Sequence, residues 1–145
     1  MAENMGAYDP LSYHNGSVWP HDTALCAAGA AVYGRWDVVD RVVDGALDAA
    51  LEFDGRPPEL FGGISRSEAP MPVSYPSSCS PQAWSSASVL LLVRTMLGLT
   101  PMGAAGPVIG RTDLSTVPDL ALHRLKWGGE PVAVELSGGL ARVVR

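Results

Sequence analysis

Residues 37–53 read Asp37-Val38-Val39-Asp40-Arg41-Val42-Val43-Asp44-Gly45-Ala46-Leu47-Asp48-Ala49-Ala50-Leu51-Glu52-Phe53. Val39, Val42, Val43, Ala46, Ala50 and Phe53 recur at intervals of three and four, which paints one apolar stripe along a helix. Asp37, Asp40, Asp44 and Asp48 fall on another face and read as a solvated acidic stripe, not a metal site. Asp37 suits the N-terminal end, where negative charge complements the helix dipole. Just upstream, Asp22 to Tyr33 is alanine-rich and has high helix propensity. Gly34 is a natural stop for it. The two segments therefore predict an antiparallel helical hairpin with its turn at Gly34 to Trp36.

The pattern stops from Asp54 to Cys79, a stretch that carries Pro57, Pro58, Pro70, Pro72, Pro76 and Gly62-Gly63. Irregular segments of this length inside compact domains tend to be functional or disordered. A third helix is expected to start with Ser80 as N-cap and Pro81 at the first helical position, and to end near Gly98. It is apolar on nearly all sides, which predicts a buried helix. After Thr100-Pro101 the composition shifts. Gly103 to Gly110 reads as a connector without the strand or lysine that a phosphate cradle needs. Leu120 to Val144 reads as a small antiparallel β-meander, with Val132, Val134 and Leu136 on one side and Ala133 and Glu135 on the other.

Composition narrows the function. Of 145 residues, 47% are hydrophobic, which fits a folded chain. The net charge of −5 and ten scattered basic residues argue against nucleic acid or an anionic membrane as partner. The most apolar stretch, Ala83 to Leu99, is broken by Ser85, Ser86, Ser88 and Arg94. The first ten residues lack the basic and apolar regions of a signal peptide. The expectation is a cytoplasmic chain. Cys26 and Cys79 lack metal-site spacing. Cys26 reads as a small buried thiol, and Cys79 has no local base to make it a nucleophile. Neither a metal nor a cofactor is called for, and P-loop, dinucleotide, nucleophile-elbow and His-Glu-x-x-His motifs are absent.

Three clusters carry candidate chemistry. Tyr13-His14-Asn15-Gly16-Ser17-Val18-Trp19-Pro20-His21-Asp22 gathers aromatic, imidazole, amide and carboxylate groups before a helix. Sugar sites need flat apolar faces for pyranose C–H surfaces and polar groups for hydroxyls. Trp19 fits the first need, and His14, Asn15, His21 and Asp22 the second. The alternative is that Asp22 or Ser17 only caps the helix and Trp19 plugs the core. In Arg56-Pro57-Pro58-Glu59-Leu60-Phe61-Gly62-Gly63, a carboxylate held stiffly between prolines and aromatics suits a general base, or else a surface ion pair. Gln82 and Trp84 of Ser80-Pro81-Gln82-Ala83-Trp84 either contact a sugar or pack in the first turn.

Taken in order, Tyr13 to Asp22, Pro58-Glu59-Leu60-Phe61 and Cys79-Ser80-Pro81-Gln82-Ala83-Trp84 resemble the amylo-α-1,6-glucosidase family, the glucosidase half of glycogen-debranching enzymes. The similarity runs from about Tyr8 to the C-terminus. The resemblance implies a mainly α fold: residues 1–101 as the C-terminal portion of an (α/α)6 toroid of six helical hairpins. A connector (102–118) and a β-meander tail (119–145) would follow. It also implies inverting hydrolysis of α-glucosidic bonds in glycogen-like oligosaccharides, which takes two carboxyl groups about 6.5–9.5 Å apart. Glu59 matches the position of the general base, and His14, Asn15, Trp19, Gln82 and Trp84 match substrate-pocket positions. The family's general acid is an aspartate far upstream, so the expectation is a C-terminal fragment that needs an upstream half of a split enzyme. Asp22 aligns elsewhere and is not that acid. A glycan-binding module without catalysis and a subunit-pairing remnant are the alternatives.

Overall fold

The computed structural model describes residues 3–101, 107–127 and 129–144. They contain helices α1 (Pro20–Val32), α2 (Trp36–Leu51) and α3 (Ala83–Met96) and strands β1 (Leu99–Pro101), β2 (Pro107–Ile109), β3 (Leu120–Trp127), β4 (Glu130–Ser137) and β5 (Leu140–Val144). The chain divides into two compact units, Met1–Leu92 and Val93–Arg145.

The first unit is organised on the α1–α2 hairpin. Pro20 opens α1, where its missing N–H costs nothing, and Trp19 holds the N-cap position without a side-chain cap. Neither Asp22 nor Ser17 caps the helix. Tyr33 closes α1, and Gly34, at φ 68°, lets the chain turn back. The Gly34 N–H reaches the Ala31 carbonyl and the Arg35 N–H the Ala30 carbonyl, both at 3.0 Å. This pair of bonds satisfies carbonyls that the helix end would otherwise leave open. The hairpin buries Ala24 and Ala27 on α1 and Val39 and Val43 on α2, all at 0% exposure. Small residues on one helix thus leave room for β-branched residues on the other. Each buried valine contributes roughly 1.5–3 kcal/mol relative to exposure.

Two helix expectations need correction. Cys26 is exposed, not buried, because it lies on the side of α1 opposite Ala24 and Ala27. That outer side also shows Leu25 at 51%, Val32 at 84% and the capping Tyr33 at 85% exposure. Gly29 stands among them, and a methyl group there would meet nothing within 4 Å. A glycine in mid-helix costs about 1 kcal/mol against alanine, and no packing among the described residues offsets it. Likewise α3 is not buried all round. It turns Ser85, Ser88, Leu92 and Thr95 inward and leaves Leu90 74% exposed. The inward serines are hydrogen-bonded, Ser88 Oγ donating to the Ser85 carbonyl at 2.6 Å and Ser85 Oγ to the Glu59 carbonyl at 3.4 Å. The helix begins at Ala83, so Ser80 and Pro81 precede it.

The mainly α reading and the toroid are overturned. The structure is 32% helical and 21% strand, with three helices and two antiparallel sheets among the described residues. A ring of hairpins needs each helix pair followed by another. Here one hairpin is followed by an irregular proline-rich stretch, and α3 leads at Gly98 into strands. Part of the expected connector pairs as a short antiparallel ladder, Leu99 opposite Ile109 and Thr100 opposite Val108. Residues 102–106 lie outside the described residues.

The second unit contains the meander, in strand order β3-β4-β5 and antiparallel throughout, as the alternation of residues 120–144 predicts. Val132, Val134 and Leu136 are buried while Ala133 and Glu135 are partly exposed. On β3 two residues, His123 and Arg124, oppose the single Ala133, since Leu122 pairs with Val134 and Leu125 with Val132. Arg124 takes φ 58° at this bulge. Arg111, 5% exposed, fastens the rest of this unit. Its guanidinium donates to the carbonyls of Asp113 (2.6 Å) and Met96 (3.1 Å) and to Thr116 Oγ1 (3.1 Å). Replacing it, as in Arg111→Leu, takes the donor from the Met96 carbonyl in a buried bond and from the Asp113 carbonyl in a part-buried one, and is expected to cost about 3 kcal/mol in chemical denaturation. Arg111→Lys should recover less than half of that, because an ammonium lacks the planar fork. A variant as stable as the parent would contradict this role.

Candidate functional site

Three irregular segments of the first unit are tied together by backbone pairs. Val18 N–H donates to the Phe61 carbonyl at 2.8 Å and Phe61 N–H to the Val18 carbonyl at 3.1 Å. Phe61 also bridges to Ser74, and Gly62 N–H donates to the Val73 carbonyl at 2.8 Å. Farther out, Glu59 N–H donates to the Cys79 carbonyl at 2.9 Å, and Gly63 N–H to the Pro10 carbonyl at 2.8 Å. Segments 8–19, 59–63 and 73–79 therefore run side by side with little regular secondary structure.

The first segment folds on itself to reach this position. Asp9 accepts from Leu11 N–H through its side chain and from Ser12 N–H through its carbonyl, both at 2.9 Å, an Asx-type turn. Ser17 Oγ donates to the Ser12 carbonyl at 2.9 Å. The approach is too close for side chains at two positions. A Cβ on Gly16 would lie 2.2 Å from the Asp9 carbonyl oxygen, and one on Gly63 would lie 1.9 Å from that of Gly16. Tyr8 Oη locks the contact by donating to the Gly63 carbonyl at 2.7 Å.

This stitching delivers Tyr13 to Glu59. The phenol donates to Glu59 Oε1 at 2.6 Å, a short charge-assisted bond between half-buried groups. Glu59 Oε2 has no hydrogen-bond partner among the described residues. The bond to Glu59, followed by loss of solvation and the carboxylate's charge, pushes the Tyr13 hydroxyl up to about 12. Trp19 Nε1 donates to the Tyr13 backbone carbonyl at 3.0 Å and so ties the indole to the main chain of Tyr13.

A continuous set of rings surrounds the pair. Tyr13 meets His14, Trp19 and Tyr75 edge-on at centroid distances of 4.7, 4.8 and 5.9 Å. His14 lies parallel to Trp19 at 5.7 Å, and Trp19 meets Trp84 edge-on at 6.2 Å. Trp84, 41% exposed, stacks on His21 at 4.5 Å. Edge-to-face contacts of this kind each add roughly 0.5–1.5 kcal/mol beyond the area they bury. The result is an aromatic wall drawn from the loop before α1, its first turn, the first turn of α3 and the 73–79 segment, with one carboxylate oxygen anchored in it.

Of the residues singled out from sequence, His14, Trp19, His21 and Trp84 join the wall, and Glu59 is anchored beside it. Gln82 does not present its side chain to the rings: its N–H donates to the Pro57 carbonyl at 3.3 Å, and its Oε1 accepts from Ser85 Oγ at 3.5 Å. Asn15 contributes its backbone carbonyl, which accepts from Asp9 N–H at 3.4 Å. Asp22 stands exposed in the first turn of α1. Two residues given no role from sequence are central here, Tyr13 and Tyr75. Tyr13 lay inside the motif, and its spacing from Trp19 was the available signal. Tyr75 carried none beyond its place between Ser74 and Pro76.

Two clefts of this unit lie away from the rings. One of about 300 Å³ includes Asp48, Glu52, Ile64 and Arg66, and an apolar one of about 270 Å³ includes Val42, Ala46, Val89 and Leu92. Both touch Val18 and Phe61, and neither reaches Glu59. A third, of about 350 Å³, is bounded by Leu11, Val73 and Tyr75 and so borders the rings. Within the wall His14 and Trp84 are exposed, and Tyr13, Trp19, His21 and Tyr75 are half-buried. Among the described residues no three His, Cys, Asp or Glu side chains cluster to hold a metal ion. No described helix is long and apolar enough to cross a membrane. No protein-family model matches the chain, and no curated protein matches it.

The Tyr13–Glu59 bond sets a pH dependence whose sign follows from the raised hydroxyl. The folded value of about 12 exceeds the ordinary value near 10, so the stabilisation is complete below about 10 and fades as pH rises through 12. The melting-temperature advantage of the parent over Tyr13→Phe should disappear across that interval. In Glu59→Gln, absorbance titration of Tyr13 should move back towards 10. An unchanged titration there would refute the assignment.

Proposed function

We propose that the first unit is the sugar-binding, base-bearing part of an α-glucosidase of the amylo-α-1,6-glucosidase type, acting on glycogen-like oligosaccharides. The observation that carries the reading is the Glu59 carboxylate, held by Tyr13 at 2.6 Å beside a wall of six rings. Flat aromatic faces suit the C–H surfaces of pyranoses, and a fixed carboxylate with one oxygen open suits the activation of water. In this reading Glu59 takes a proton from the water that bonds to the anomeric carbon. The glycosidic C–O bond breaks, and the leaving oxygen receives its proton from a second carboxyl group. Inversion requires that second group, and we assign it to an upstream half that works with this chain. We place the activity in the cytoplasm, since both cysteines are free thiols, as a reducing compartment keeps them.

Binding without cleavage is the second reading. It is favoured by the fact that, among the described residues, the hydrogen bonds and ring contacts bring one carboxylate, Glu59, to the wall. The two readings separate experimentally. Maltooligosaccharides at millimolar concentration should change the tryptophan fluorescence of the chain saturably, and Trp84→Ala should weaken that binding about tenfold. A flat signal would sink both readings. If binding holds, mixing with the upstream half should give hydrolysis of α-1,6-linked glucosides that Glu59→Gln abolishes. Binding with no hydrolysis in the mixture selects the second reading.

A further inference from the structure

The first unit leaves an apolar cleft of about 270 Å³ to which α2 gives Val42, Gly45, Ala46 and Ala50, and α3 gives Val89 and Leu92. Val42, Ala46 and Val89 are half-buried, so the cleft is reached from solvent. Small residues on α2 keep it open, and a Cβ on Gly45 would meet nothing within 4 Å. Its length is set by α2, which rises roughly 13 Å from Arg41 to Ala50. A volume of about 270 Å³ spread over that length is roughly 20 Å² across. Such a slot admits one extended alkyl chain and excludes a fused ring system or a helix.

The charged side chains that line the cleft are Arg41 and Arg66, and no carboxylate joins them. Arg66 is occupied, its Nη1 donating to Asp48 Oδ2 at 3.0 Å. Arg41 is exposed and makes no hydrogen bond or ion pair with the described residues. Neither Asp40 nor Asp44, its neighbours on α2, lines the cleft. A narrow apolar slot with an unengaged guanidinium at its rim is complementary to an amphipathic anion. The alkyl body leaves water along α2, and the carboxylate takes paired N–H donors from the planar fork. We propose that this cleft binds a straight-chain carboxylate of medium length, with its chain between Ala46 and Val89 and its head on Arg41. The cleft does not reach Glu59, so this binding is independent of the sugar-site reading.

Calorimetric titration of the full chain with octanoate, below its micellar range, tests the site. Saturable binding of one equivalent is expected, with octylammonium and octanol each at least about tenfold weaker. Arg41→Glu should lose octanoate by about tenfold or more and gain octylammonium, with an unchanged circular dichroism spectrum because Arg41 is exposed. Ala46→Leu, which fills the slot, should abolish binding without lowering the melting temperature. Leu90→Ser, on the exposed side of α3 and outside the lining, should leave binding intact. No saturable heat at millimolar octanoate overturns the proposal. So does binding that survives Arg41→Glu or Ala46→Leu, or that is lost in Leu90→Ser. If octanoate fails to bind while Ala46→Leu changes the sedimentation of the chain, a second copy covers the cleft and the proposal falls.

Discussion

The reciprocal pair of hydrogen bonds between Val18 and Phe61 is the constraint on which the first unit depends. Everything placed near Glu59 arrives along chain that this pair holds in register. On one side it fixes Trp19 and, through the Trp19 indole, Tyr13. On the other it fixes Glu59, two residues before Phe61, whose own N–H is tied to the Cys79 carbonyl. A polypeptide rich in proline and glycine has few ladder bonds available, because proline lacks the donor. The bonds it does make therefore carry more of the geometry. Gly16 and Gly63 show how tightly the segments meet: neither has room for a methyl group.

The site is accordingly a product of loops supported by helices, not a product of the helices themselves. The wall takes one ring, His21, from the start of α1 and one, Trp84, from the start of α3, and the other four from irregular chain. That division suits recognition, since rigid elements set the outline and loops supply the contacting groups. Two of the clefts touch the Val18–Phe61 pair, away from Glu59. Tyr13 contributes to both halves of the arrangement, as a packing ring and as the donor that orients the carboxylate.

Local patterns in the sequence were faithful where the physics is local. The stripe of residues 37–53, the stop at Gly34 and the alternation of residues 132–136 each reappear in the structure, because period and turn chemistry act within a few residues. His14, Trp19, His21, Glu59 and Trp84 were legible as a set because aromatic and titratable side chains crowded into loops are uncommon. What was not legible depends on long-range partners. Burial of Cys26 and of the whole of α3 was expected from apolar composition, yet composition cannot say how many neighbours a helix has. The toroid failed for the same reason, being a statement about hairpins that the described chain does not supply. Gln82, Asn15 and Asp22 read as sugar contacts by type, but the Gln82 side chain meets Ser85, Asn15 enters through its backbone carbonyl and Asp22 stands exposed on α1. Tyr75 was missed because its importance comes from the Phe61–Ser74 bridge, which no periodicity foretells.

The bulge in β3 has a meaning for sequence change. Leu120 and Leu122 are in one phase and Leu125 and Trp127 in the other, and the extra residue at His123-Arg124 brings all four to the same face of the meander. The strand thus stores one residue of surplus length. Loss of a single residue there would leave an uninterrupted alternation, with the same side chains inward and the left-handed kink at Arg124 gone. The neighbouring β4 has no such reserve. One residue removed between Val132 and Leu136 would reverse the facing of everything beyond it. Insertions and deletions in this sheet should therefore be tolerated at one bend and selected against elsewhere, and the allowed length of the tail is set by a kink.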